Sequence, residues 1–247
     1  MVTGMSMFSF EHDNVCRGCA LGKNTKKAYP HSNRQSNGIL DLIHSNLCGP
    51  MTAPSMNGCI YYIIFIDDCS RKTWIYFLKT KDKSFNRFQE FDSFKYDELC
   101  RASGIKRELT VPYNPQQNGV VERKNRTICE ATRAMMYDQN LPLSLWAKAA
   151  STTVYIQNRC PHKALEAKTP KEVFTGIKPS VDHLRIFGNP VYIHIPKEKR
   201  TKLEPSRKKG TFVGYSETSK AYRIYVPSQK FIEVNRDVTF HEEAVFR

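Results

Sequence analysis

No apolar run in this chain exceeds the eight residues of 59–66, "CIYYIIFI". A helix needs about 20 apolar residues to cross a bilayer, so no membrane span is expected and the run reads as a buried strand. No basic segment followed by an apolar one lies near Met1, which argues against export. Cysteines are present but close pairs are lacking. Of eight, only Cys16 and Cys19 are neighbours, while Cys48, Cys59, Cys69, Cys100, Cys129 and Cys160 stand singly in apolar surroundings. That disfavours a disulfide-built secreted domain and fits a reducing compartment. Acidic residues are also short: 24 Asp and Glu face 38 Lys and Arg, a formal net charge of +14. Such an excess favours a polyanionic partner, nucleic acid above all, although a ribosomal or simply soluble basic protein has the same signature.

The 247 residues, 40% of them apolar, suffice for one large domain or two modest ones. Residues 1–37 are polar and without periodicity, and read as an arm. Residues 39–78 read as three antiparallel strands, β-branched and aromatic runs bounded by the turns "GPMTAPSMNG" and "DDCSRK". A hairpin centred near residue 54 would pair position 46 with about 62, and Asp67 with about Asp41. From 82 to 103 the period becomes helical, with Phe85, Phe88, Phe91, Tyr96 and Leu99 on one stripe and Gly104 as the stop. "IKRELTV" is a short strand and "PYNPQQNG" a loop. A long helix begins at Val120, with Val121, Lys124, Ile128, Ala131 and Met135 along one face and Glu122, Arg126, Glu130 and Arg133 along another. A second helix lies in "LPLSLWAKAASTTVYIQNR". A short third one is capped by Thr169-Pro170 and closed by Gly176. After 184, "VYIHIP", "GTFVGYS", "AYRIYV", "KFIEVN" and "DVTFHE" suggest a small all-β barrel. The basic run "KEKRTKLEPSRKK" between the first two reads equally as a phosphate-contacting loop or as a solvated loop guarding an edge strand.

Four stretches carry a resemblance. "HSNLCGPM", "YYIIFIDDCSRKTWIYFLKTKDKSFNRFQEF", "GIKRELTVPYNPQQNGVVERKNRTI" and "LPLSLWAKAASTTVYIQNRCP" resemble the integrase region of copia-type retrotransposon polyproteins. The tail "HLRIFGNPVYIHIPKEKRTKLEPSRKKGTFVGYS" resembles the Src-homology-3-like barrel that follows it. The resemblance implies an α/β chain: a ribonuclease-H-like mixed sheet with flanking helices over 38–178, then the barrel over 184–247, after the arm 1–37. It also implies DNA as partner, possible homo-oligomers, a nuclear location and no membrane. The family's chemistry is strand transfer, in which two Asp and a Glu hold two Mg²⁺ ions ~4 Å apart that clamp the attacking and leaving oxygens.

Taken position by position, that site is expected to be broken. Asn46 stands where the family has its first aspartate, and an uncharged amide binds a hard cation weakly. The second aspartate lies about 35 residues before the glutamate in the family. Here that count reaches Arg87, within the Phe-rich helical stripe, and no "DNGG"-like stretch occurs, so one strand of the sheet reads as deleted. Glu122 matches the third carboxylate, although an ordinary (i, i+4) pair with Arg126 explains it as well. Mg²⁺ is therefore implied by the family but not expected to be bound. Asp67 and Asp68 are expected to cap their own turn with Ser70 and Arg71. Arg123, Lys124 and Arg126 on the long helix, and Lys199, Arg200, Arg207, Lys208 and Lys209 in the basic run, are the expected DNA contacts. Cys16 and Cys19 resemble half of a His-His-Cys-Cys zinc module. With only His12 upstream, a four-ligand site is incomplete and Zn²⁺ is not expected. Three readings follow: an inactive integrase, a non-catalytic nucleic-acid-binding module, or an unstable remnant of a decayed element.

Overall fold

The computed structural model describes residues 36–84, 87, 119–216 and 218–241. Cys16 and Cys19, most of the helical stripe 82–103, the strand "IKRELTV" and the loop after it lie outside the described residues, as does the side chain of Lys199.

Strands β1 (Ile43–Cys48), β2 (Tyr61–Asp67) and β3 (Thr73–Leu78) form an antiparallel sheet in the order β1-β2-β3. Its register places Asn46 opposite Ile64 and Ile43 opposite Asp67. The hairpin is thus centred a residue later than the turn composition suggests, and Asp67 faces Ile43 rather than Asp41. The reason lies at the Gly49-Pro50 turn. Gly49 adopts φ +130°, and a Cβ there would lie 2.6 Å from the Tyr61 ring, so the backbone doubles back against β2 only because the side chain is missing.

Alternation gives the sheet two faces. Tyr62, Ile64 and Ile66 point to one, which is covered by helices α1 (Gly119–Asp138) and α2 (Trp146–Gln157) through Val121, Ile128, Trp146, Ala147, Ala150 and Val154. Ile63, Phe65 and Leu78 point to the other, with Ile43, Leu47, Trp74 and Tyr76 around them. Helix α2 is fastened at both ends. The Trp146 indole N–H donates to the Ala53 carbonyl at 3.0 Å, and the side chain of Asn158 pairs with both the N–H and the C=O of Thr73 at 3.0 and 2.8 Å. Helix α3 (Pro170–Thr175) has the expected ends, a Thr169/Glu172 capping box and Gly176 at φ +72°. Its Phe174 packs edge-on against Trp74, with centroids 5.3 Å apart.

Strands β4 (Pro190–His194), β5 (Arg207–Tyr215), β6 (Tyr222–Val226), β7 (Phe231–Asn235) and β8 (Val238–Phe240) form the second sheet, ordered β7-β6-β5-β4-β8. The sheet curls on itself, since the rings of Tyr222 and Phe240 meet at 4.9 Å although two strands lie between theirs. Val191, Ile193, Phe212, Ile224 and Val226 fill the inside.

Strand β5 is buried on both sides, because its other face meets α2. Val213 enters a cluster with Met136, Leu145, Ala149 and Phe187, and Tyr155 of α2 stacks on Tyr215 at 4.4 Å. An irregularity between Phe212 and Gly214 makes this approach possible. Gly214, at φ +136°, leaves no Cβ to collide with the Thr152 hydroxyl, which would lie 2.8 Å away.

Candidate metal site and nucleic-acid interface

The expected metal site is built around β1. Asn46 shares its face with Ile64, opposite it, and with Cys48, so it lies on the side of the sheet that α1 covers. Glu122 stands exposed in the first turn of α1, where the helix dipole favours a carboxylate whether or not it binds anything else.

Asp67 cannot complete this pair. It lies three residues from the position opposite Asn46, roughly 10 Å along the strand, and on the other face of the sheet. Its oxygens are also occupied: Oδ1 accepts from the Leu40 N–H at 2.8 Å, and Oδ2 from the Ser70 N–H at 2.9 Å and from the Ser70 hydroxyl. Asp68 accepts from the Ser36 N–H at 2.8 Å and meets the Arg71 guanidinium at 2.8 Å and His44 Nε2 at 3.0 Å. Both aspartates are buried, and together they bind the turn and the segment before β1. The turn-capping role expected for them is what the structure gives, although the separation from Asn46 is smaller than the five residues, ~17 Å along the strand, that lie between Asp67 and the position near 62 expected opposite Asn46. Among the described residues, no three His, Cys, Asp or Glu side chains converge on a common metal position. Among the described residues, the donor set around Asn46 does not fit a pair of hard cations.

The basic residues divide differently from their order in the sequence. Arg123, Arg126 and Arg133 are exposed along α1, with Glu122 and Glu130 among them. Lys124 is not one of this row. It lies on the stripe of Val121 and Ile128, half-buried near His162, and burial pushes its ammonium down to about 8. The expected phosphate contact at Lys124 is thus set apart from the exposed arginines, because one residue along a helix turns a side chain by 100°.

In the basic run, only the part before β5 is a loop. Arg207, Lys208 and Lys209 belong to β5 itself, and strand alternation separates them. Arg207 and Lys209 pair with His194 and Tyr192 and are exposed with them on the outer face. Lys208 pairs with Ile193, whose side chain is inside, and forms an ion pair with Glu233. Arg200 donates to the Ile195 carbonyl at 3.3 Å. The outer face of β4 and β5 therefore combines two cations with an imidazole and a phenol, a mixture suited to a nucleic-acid strand. Tyr192 and His194 were legible from "VYIHIP", in which Val191 and Ile193 must point inward.

Residues 103–170 match the family "Integrase core domain", and residues 189–247 the family "Retroviral polymerase SH3-like domain". The chain is 39% identical over 253 aligned residues to the Retrovirus-related Pol polyprotein from transposon TNT 1-94 of Nicotiana tabacum, covering 93% of this chain and 19% of that protein. The chain belongs to the integrase region of copia-type Pol polyproteins. A second relative of this integrase-type chain, the Retrovirus-related Pol polyprotein from transposon RE2 of Arabidopsis thaliana, is 30% identical over 249 residues, 92% of this chain and 17% of that protein. The chain thus spans less than a fifth of these two relatives. Among solved structures, it is similar to a chain in the simian T-cell lymphotropic virus intasome in complex with PP2A regulatory subunit B56 gamma, with 15% identity, a TM-score of 0.49, and coverage of 90% of this chain and 85% of that one. The fold is that of an integrase core, ribonuclease-H-like, followed by an SH3-like domain. The described core strands are all antiparallel, and the segment expected to form a further short strand, 105–111, lies outside the described residues.

Proposed function

We propose that this integrase-type chain binds nucleic acid without catalysing strand transfer. The observation that carries the reading is the face of β1. Where the chemistry needs a charged ligand there is Asn46, and the nearest strand carboxylate, Asp67, is on the opposite face and fully engaged. The alignment to the tobacco relative runs to 253 positions yet covers 93% of the 247 residues of this chain, which supports a loss of residues here. With the middle aspartate deleted, Glu122 alone cannot hold two metal ions. What survives is electrostatic: the exposed arginines of α1 and the outer face of β4 and β5. Binding of this kind is insensitive to sequence and steeply dependent on salt. Nuclear location and assembly into oligomers belong to the same reading.

Two measurements test it. Strand-transfer assays with Mg²⁺ or Mn²⁺ should give no product, and Asn46→Asp alone should not restore any; efficient joining by either chain overturns the inactive assignment. In fluorescence anisotropy with duplex DNA, affinity should fall by about two to three orders of magnitude between 50 and 200 mM salt. The double substitution Arg123→Ala/Arg126→Ala should reduce the log–log salt slope by about 2. No binding at low salt leaves the nucleic-acid reading without support.

A further inference from the structure

Two of the single cysteines meet. Cys48 ends β1 directly opposite Tyr62 in β2, and both side chains point toward α1. There the Tyr62 hydroxyl lies 3.3 Å from Cys129 Sγ, and the Cys48 thiol interacts with both groups. Both cysteines are half-buried at the edge of the core, where a small reagent can reach them.

We propose that Cys48 and Cys129 form a reversible disulfide that staples α1 to the end of β1. Cys129 is the attacking group. Hydrogen bonds from Cys48 and Tyr62, with Arg133 one turn along the helix, favour its thiolate and hold it near pKa 6. Cys48 is pushed the other way, by its hydrogen bond with Cys129 and by burial, so it keeps its proton while Cys129 attacks. The oxidant is a low-molecular-weight disulfide such as glutathione disulfide. The Cys129 thiolate attacks one of its sulfurs, the S–S bond breaks, and one thiol departs, leaving a mixed disulfide on Cys129. Cys48 then gives up its proton and attacks Cys129 Sγ, the protein disulfide forms, and the second thiol departs. Two protein thiols are oxidised and one external disulfide is reduced to two thiols. The product ties the strand of Asn46 to the helix of Glu122, and stands whether or not the chain binds DNA.

The test uses the full chain, incubated with glutathione disulfide, alkylated and digested with trypsin. Cleavage leaves Cys48, Cys59 and Cys69 together in peptide 35–71 and Cys129 in peptide 127–133. The two peptides should be joined, fragmentation should place the bond on Cys48, and dithiothreitol should release it. Cys48→Ser should abolish the link, and Cys59→Ser and Cys69→Ser should retain it. Oxidation should raise the melting temperature of the wild type but not of Cys48→Ser. Free, alkylated Cys129 after oxidation, a stable glutathione adduct on it, or a bond to Cys59 or Cys69 overturns the proposal. The wild-type map decides even where a variant does not fold.

Discussion

The two sheets differ in what holds their edges. In the second, β4-β5, β5-β6 and β6-β7 join strands consecutive in the chain, and β8 returns to pair with β4 at the edge. The first, among the described residues, is a three-stranded meander of consecutive hairpins with β1 at one edge. The consecutive pairs of both sheets close short loops, whereas the β4-β8 pair must close one that spans the strands between them, at a higher cost in chain entropy. Yet the halves are not separate, because β5 is core to both: Phe212 faces the barrel interior and Val213 faces α1 and α2.

The largest expected effect tests that shared strand. Phe212→Ala removes a fully buried ring and should cost about 3–5 kcal/mol. Because β5 is common, differential scanning calorimetry should show one transition moved to lower temperature. A split into two transitions, with the first sheet and its helices melting as before, would show that the halves fold independently despite the contact.

A smaller effect concerns Lys124. Its burial disfavours the ammonium, so Lys124→Met should stabilise the chain by about 1–2 kcal/mol at pH 7, read from urea denaturation. The same variant should leave the salt slope of DNA binding unchanged, in contrast to Arg123→Ala/Arg126→Ala. A weakened slope would return Lys124 to the phosphate-contacting row.

The sequence made the barrel strands, the helix ends at Thr169 and Gly176, and the turn role of Asp67 and Asp68 legible, since each depends on residues within a few positions. The reading of Asn46 as a lost ligand rests on the resemblance alone, for an asparagine before a Gly-Pro turn has no meaning by itself. The register of Asn46 was missed because it is set by the close approach of Gly49 to Tyr61, which composition does not reveal. The contact between Cys48 and Cys129 was missed for a similar reason. It joins positions far apart in the chain through Tyr62, and neither cysteine has a patterned neighbour.

The smallest expected effect lies where α2 meets the barrel. The Tyr155 hydroxyl is 2.8 Å from His183 Nε2, and the imidazole stands edge-on to both Tyr155 and Tyr215. Burial, then Arg159 and Lys171, hold His183 below the ordinary histidine range. Asp182 opposes them and Arg185 adds to them. The folded chain therefore keeps the ring neutral, with Nε2 hydrogen-bonded to the Tyr155 hydroxyl. The unfolded chain takes up a proton near pH ~6.5. Because the folded value is the lower one, the contribution to stability is complete above pH ~6.5 and is lost as the pH falls through the folded value. His162 is shifted the same way, by burial and then by Lys124 and Arg71, so the two act together. Melting temperatures should fall between pH 7 and pH 5, and His183→Gln, which keeps an acceptor for Tyr155, should flatten part of that fall. An unchanged slope in His183→Gln would place the pH sensitivity elsewhere and leave the packing of β5 on α2 indifferent to the charge of this ring.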